Sequence, residues 1–271
     1  MLSNLRRLRH GARIYRALIL TQLRTMVEYR ADFWIGIVGA VLMHGAGLVF
    51  ISAFFSHLSS VGGWTVWEVA LLYGLVMVPY GLREMWADGV WNLRAQLNRG
   101  EFDRVLVRPL SPALQISASS ASMHGIGNFI LGLVVLLTAA AHVGVDWTIG
   151  KVLWLVLTLA CGLVVVIAIS FLANLIGFWE PGTQSAFPFF VANMAEFAKF
   201  PLDLYGWELR FLVTAVLPFG FISYYPALIL LDKGGNLRWL GYLTPLAPVI
   251  LVAVTARLWH MGLDQYQSTG H

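Results

Sequence analysis

Long apolar runs alternate with short polar segments along this chain of 271 residues. A hydrocarbon core of about 30 Å needs roughly 20 apolar residues in a helix. Charge-free runs of that kind lie at Phe33 to Phe55, Leu114 to His142 and Val152 to Trp179. Three weaker runs also predict spans: Val66 to Leu82, with Glu68 at its edge, Thr183 to Phe200, carrying Glu196 and Lys199, and Leu240 to Trp259. Residues 211–231 are apolar too, but Leu217-Pro218-Phe219-Gly220 breaks the run at its middle and Pro226 breaks it again. That pattern predicts two short helices that dip in and return, leaving six spans. Counting the run as a seventh span would move the C-terminal tail to the other face.

The polar segments have their own periods. In residues 1–31, Leu5, Leu8, Ala12, Tyr15, Ile19 and Met26 recur at helical spacing beside a stripe of Arg6, Arg9, Arg13 and Arg16. This predicts an amphipathic helix in the membrane interface, acting as an anchor or as an elbow that also touches a cytoplasmic partner. In the polar insert at 83–112, Trp86, Val90, Leu93 and Leu97 fall at steps of three and four, predicting a helix over Met85 to Leu97. Gly100 supplies its stop, Glu101 to Arg108 a tight charged connector, and Ser111-Pro112 an N-cap and first-turn proline. Residues 201–239 form an outer segment holding the broken helices. No repeat is visible, and nothing outside the bilayer is large enough to fold alone, so 1–271 reads as one membrane domain.

Composition agrees: 58% of residues are hydrophobic, 12% are charged, and the mean hydropathy is +0.72. Soluble domains carry about 25% charged residues. Of 18 Lys and Arg, seven precede the first span (Arg6, Arg7, Arg9, Arg13, Arg16, Arg24, Arg30) and five lie in the insert (Arg83, Arg94, Arg99, Arg104, Arg108). Cations near span ends are retained in the cytoplasm, so the N-terminus and the insert are both expected inside. The same sorting explains the net charge of +4 without nucleic acid as a partner. Cys161 is the only cysteine, which excludes an intramolecular disulfide and a cysteine metal cluster. The basic start is too long for a cleavable signal peptide.

Catalytic patterns are missing. There is no G-x-x-x-x-G-K-[ST], no H-E-x-x-H and no G-x-S-x-G, and the seven histidines are scattered, so neither nucleotide hydrolysis nor a metal site is expected in this chain. Polar residues within spans are costly and face a neighbouring helix or a cavity. They form stripes: Ser117, Ser120, His124 and Asn128 on the third span; Ser170 and Asn174 on the fourth; Asn193, Glu196 and Lys199 on the fifth, where the last two can pair. Helix packing and a substrate path both account for these stripes. Trp64, Trp67, Trp147, Trp154, Trp179, Trp207, Trp239 and Trp259 near span ends read as an interfacial belt.

The stretch Arg99-Gly100-Glu101-Phe102-Asp103-Arg104-Val105-Leu106-Val107-Arg108-Pro109-Leu110-Ser111 resembles the cytoplasmic motif of permease subunits of type-2 ABC exporters, a Gly-x-x-Asp followed by hydrophobics and Arg-Pro. Three further stretches are similar to the same group: Phe200-Pro201-Leu202-Asp203, Pro218 to Ala227, and Gly262 to Gly270. The resemblance implies an all-α integral membrane protein with six transmembrane helices. It also implies an N-terminal amphipathic interfacial helix, a cytoplasmic coupling helix and outer re-entrant helices before the last span. Two copies of a separate ATPase subunit, carrying ATP and Mg, and a second permease, same or related, are the implied partners beside membrane lipids. No cofactor is expected on this chain. The expected coupling residues are Trp86, Val90, Leu93, Leu97, Gly100, Glu101, Asp103, Arg108 and Pro109. The candidate substrate path is Ser120, His124, Asn128, Asn174, Asn193 and Glu196, and the outer gate is Pro218, Phe219, Gly220, Tyr224, Tyr225 and Pro226. A non-transporting membrane subunit, or a secondary transporter built on Glu196 with Lys199, is the rival reading.

Overall fold

The computed structural model describes residues 14–15, 20–21, 30–57, 59–180 and 186–267. The described chain holds α1 (Arg30–Phe55) and α2 (Val66–Ala87), a 3-10 turn Asp88–Asn92, then α3 (Leu93–Asn98), α4 (Phe102–Leu106) and α5 (Pro112–Ser117). Helices α6 (Met123–His142), α7 (Ile149–Asn174) and α8 (Phe187–Asn193) follow, the last continued by a 3-10 turn Met194–Lys199. The chain ends with α9 (Trp207–Phe211), α10 (Tyr224–Leu230), α11 (Arg238–Gly241) and α12 (Leu246–Gln265). No strand occurs among the described residues, so the protein is an all-α membrane protein. Most of the expected N-terminal interfacial helix, Pro181 and Gly182 of the inner turn, and the final Ser268 to Gly270 lie outside the described residues.

Five described helices are long and apolar enough to cross a bilayer: α1, α2, α6, α7 and α12. Contacts sort their ends. At one end the insert meets the end of α7 and the end of α12, where Phe102 packs on Phe178, Trp259 and Tyr266. Arg94 donates to the Glu180 carbonyl there, and the Tyr15 hydroxyl to the Trp86 carbonyl. At the opposite end the Trp64 indole donates to Asp203 at 3.0 Å, Lys233 to Glu68 at 2.7 Å, and Lys151 to Asp232 at 2.6 Å. The chain therefore crosses between Glu180 and Asp203, as expected of the fifth span. It does so with a shorter helix than Thr183 to Phe200 predicts: seven α and six 3-10 residues rise about 22 Å. Pro201 forces Phe200 into the extended region and ends it there. The next two segments, Trp207–Val216 and Phe219–Leu230, are bent by 76° at Pro218, and both outer ends, Asp203 and Asp232, sit at the same face of the bundle. This matches the dip and return expected of residues 211–231, so the crossings among the described residues number six.

The third span is a correction. Leu114 to His142 is not one helix: it breaks between α5 and α6 at Ala118 to Ser122. Three serines lie in this stretch, and their side chains offer the backbone alternatives to the helical ladder. The Ser122 amide instead donates to the Glu84 carbonyl at 3.0 Å, and Asn92 to the Ser120 hydroxyl at 3.0 Å. The expected single stripe of Ser117, Ser120, His124 and Asn128 is split accordingly.

Helix starts follow their caps. Thr65 and Glu68 exchange a reciprocal capping box at the head of α2, and Thr148 caps α7. Glu68 also receives Lys233, so one carboxylate ties the start of α2 to the chain beyond α10. Nearby, Asp232 holds Lys151 and Arg238, both at 2.6 Å. The Lys151 hydrogen bond, then the charges of Lys151 and Arg238, keep the Asp232 carboxyl below its ordinary range. A depressed folded-state value means that this tether is fully present above the unfolded carboxylate value of about 3.9 and is lost as pH falls through the folded value. Local opening of residues 231–237, read as amide exchange corrected for its intrinsic pH dependence, is therefore expected to stay flat from pH 8 to 5 and to rise only below about pH 4. A rise centred near pH 6 would contradict the assignment.

Candidate functional site

At the insert end, α2 runs without a gap into the 3-10 turn and α3, and Gly100 turns the chain in the left-handed region at φ 68°. Three of the four expected apolar positions, Val90, Leu93 and Leu97, are fully buried. They form an apolar cluster with Phe102, Ile116, Phe171, Leu175, Phe178 and Trp259. Their face is turned into the chain's own core, so these residues support the insert from behind; Trp86 alone of the four stays exposed. The outward face of the connector carries Glu101, Arg104, Leu106, Val107, Arg108 and Pro109, with Val107 83% exposed.

The connector is ordered chiefly by residues that sequence spacing did not single out. Phe102, with no exposed surface, stacks edge-on against Phe178, Trp259 and Tyr266 at 5.0 to 6.3 Å. The buried Gln115 amide donates to the Val105 and Leu110 carbonyls at 2.9 and 2.8 Å, closing the connector onto α5. Asp103, expected here, accepts from the Tyr266 hydroxyl at 3.1 Å. Burial first and the Asp103 carboxylate second push the Tyr266 phenol up to about 12, so it remains a donor at neutral pH. Glu101 approaches Arg99 only at 3.9 Å on exposed side chains, and Arg108 is exposed, so neither does much to order the connector.

A cavity of about 390 Å³ opens between α1, α2, α6 and the α8 pass. Its walls include His44, Tyr80, Arg83, Glu84, Trp91, Asn128, Asn193, Glu196 and Lys199. Of the six expected path residues it therefore gathers three: Asn128, Asn193 and Glu196. Ser120 is engaged by the insert, exposed His124 lies outside the cavity walls, and Asn174 donates to the Ser170 carbonyl within its own helix. The 3-10 winding of Met194–Lys199 makes positions three apart eclipse, which brings the Lys199 ammonium to 2.5 Å from Glu196. Lys199 also lies 5.0 Å over the Tyr73 ring, a cation–π contact. On the opposite wall Arg83 bridges Glu84 at 3.3 Å and Asp88 at 3.1 Å, while Asn128 donates to Glu84 at 2.7 Å. Arg83 and Glu84 were visible in the sequence only as insert charges. Their place in the cavity follows from the unbroken run of α2 into the insert.

The residues expected at the outer gate form a packed plug. Phe219, Gly220, Tyr224, Tyr225 and Pro226 are buried, Pro218 less so. Tyr224 lies between Trp64 and Tyr225 at 5.8 and 5.1 Å, and the Tyr225 hydroxyl pairs with Thr214 at 2.8 Å. A Cβ on Gly220 would stand 2.8 Å from Leu202, whose neighbour Asp203 holds Trp64. The four sequence stretches that carry the resemblance thus meet in pairs: the first with the last through Asp103 and Tyr266, the second with the third through Leu202 and Gly220.

The chain is a multi-pass helical membrane protein with a charged cavity in the half of its bundle nearer an anchored polar insert. Residues 41–270 match the family model described as ABC-2 family transporter protein, and the chain belongs to that family. It is a transmembrane subunit of an ABC transporter, a family whose membrane subunits generally partner with ATPases. Comparison with curated proteins and with solved structures returned no match.

Proposed function

We propose that this chain is the permease subunit of an ATP-driven exporter in a bacterial cytoplasmic membrane. In this reading two permeases, identical or related, pair with two copies of a separate ATPase, and the insert faces the cytoplasm. The observation that carries it is the connector. Its inner side is welded by Phe102 to the ends of two spanning helices, while Leu106 and Val107, which open water does not favour, stay exposed beside Arg104 and Arg108. A push on that outer surface would be passed to α7 and α12 as rigid displacement rather than absorbed by a loose loop. Five arginines in the insert support a cytoplasmic orientation. ATP and Mg belong to the ATPase, and this chain binds no cofactor of its own. Closure of the ATPase dimer would drive the permeases between inward- and outward-accessible states, with the plug at Pro218 to Pro226 as the outer gate.

The test is affinity purification of the tagged chain in mild detergent, with the co-purifying ATPase activity measured. Wild type is expected to recover a soluble ATPase, and the double variant Asp103→Ala, Arg108→Ala to recover about tenfold less, a coupling loss of about 1.4 kcal/mol. Recovery of the permease alone across several detergents would sink the proposal and favour a secondary transporter.

A further inference from the structure

We infer that the cavity between α1, α2, α6 and α8 is a binding site for amphiphilic organic cations, an apolar or aromatic body carrying a positively charged amine. The inference rests on the transport reading above and names the substrate class. Position comes first. Helix α2 rises about 33 Å from Val66 to Ala87, and the cavity touches it from Val76, near the midpoint, to Glu84. The site thus occupies the half of the bundle toward the insert. Its volume falls in the range of pockets that hold drug-sized molecules.

Charge comes second. Among the described residues the cavity walls hold two carboxylates, Glu84 and Glu196, and two cations, Arg83 and Lys199, and Arg83 is shared with a third carboxylate, Asp88, beyond the wall. Glu196 holds Lys199 through Oε1 while its side chain remains 60% exposed, so this carboxylate is open to a ligand and Lys199, 6% exposed, is not. Third, Tyr80, Trp91 and Phe189 supply aromatic surface for the body and cation–π attraction for the charge.

The experiment compares tetraphenylphosphonium with tetraphenylborate, nearly the same shape with opposite charge, by equilibrium dialysis against the full chain in neutral-lipid nanodiscs without ATPase, with uptake by protein-free nanodiscs of the same lipid subtracted because the interfacial dipole potential favours hydrophobic anions. The phosphonium is expected to bind at least tenfold more tightly than the borate, and octylamine to displace it. Glu196→Gln is expected to weaken phosphonium binding about tenfold, and Glu196→Asp to restore most of it. Equal binding of the two probes, or unchanged binding in Glu196→Gln with wild-type thermal stability, overturns the inference. Because no ATPase is present, that failure is distinct from a failure of the purification test above.

Discussion

Replacing Gly81 by leucine is expected to abolish accumulation of the folded protein. A Cβ at Gly81 would stand 2.4 Å from the backbone nitrogen and 2.6 Å from the Cα of Phe129 on α6, and backbone cannot swing aside as a side chain can. The contact is reciprocal along the pair. Gly74 faces Leu136, Gly132 faces Met77 and Val78, and Gly125 faces Glu84 and Met85, each with a would-be Cβ within 3.0 Å of its neighbour. Gly74 and Gly81 on α2, and Gly125 and Gly132 on α6, are each seven residues apart, so the two helices meet on glycine at every second turn. Helix association in a bilayer depends on such close packing because lipid tails compete with any apolar side chain. Overpacking costs about 1–3 kcal/mol for one added methyl, the expectation for Gly81→Ala, and more for leucine. Gly45→Ala is the internal control, since a Cβ there meets nothing within 4 Å, and it is expected to keep or raise stability, by up to about 1 kcal/mol from helix propensity. The yield of folded protein would report the leucine variant, and unfolding in an SDS titration after reconstitution would rank Gly81→Ala against the Gly45 control; a leucine variant that accumulates and unfolds like that control would show that the approach is not required.

Arg83→Ala is expected to cost about 3–5 kcal/mol, the usual penalty for removing one partner of a buried ion pair. Arg83 is 5% exposed, and its two terminal nitrogens serve Glu84 and Asp88, themselves 18% and 25% exposed. Taking the guanidinium away leaves two carboxylates facing one another with only Asn128 to solvate Glu84. The loss should come from those stranded charges rather than from missing bulk. Two variants separate these causes. Arg83→Met keeps much of the volume and should be nearly as harmful, whereas Arg83→Met combined with Glu84→Gln and Asp88→Asn should recover most of the stability. If the triple variant were no better than Arg83→Met alone, the ion pairs would not be what the arginine supplies.

The fold was legible wherever burial demanded length. The runs at Phe33 to Phe55 and Val152 to Trp179 are helices because a bilayer leaves backbone no other partner, and Pro218 and Pro226 marked the dip before the last span. The break before α6 was not legible, because a run of alanine and serine is neutral in hydropathy and compatible with a helix. It was decided by what Glu84 and Asn92 offered those residues in space. The insert taught a related lesson. Periodicity grouped Trp86, Val90, Leu93 and Leu97 on one face, but a period cannot say whether that face meets another protein or the chain's own helices, and three of the four meet the latter. Glu196 and Lys199 were readable as a pair from their spacing, and they are one. The Arg83 wall opposite them was hidden, since nothing local marks where a spanning helix becomes an insert.

The two ends of the bundle are fastened by different forces. The insert end is gripped by Phe102, Phe178 and Trp259, whose attraction is strengthened by salts that are excluded from protein surfaces. The other end is clasped by Lys151, Asp232, Arg238, Lys233 and Glu68, and at 1 M salt, where screening acts within about 3 Å, the exposed pairs among them lose most of their hold. An excluded salt such as sulfate is therefore a selective key to this molecule: raising it slackens the cap over the bent helix pair while tightening the platform beneath.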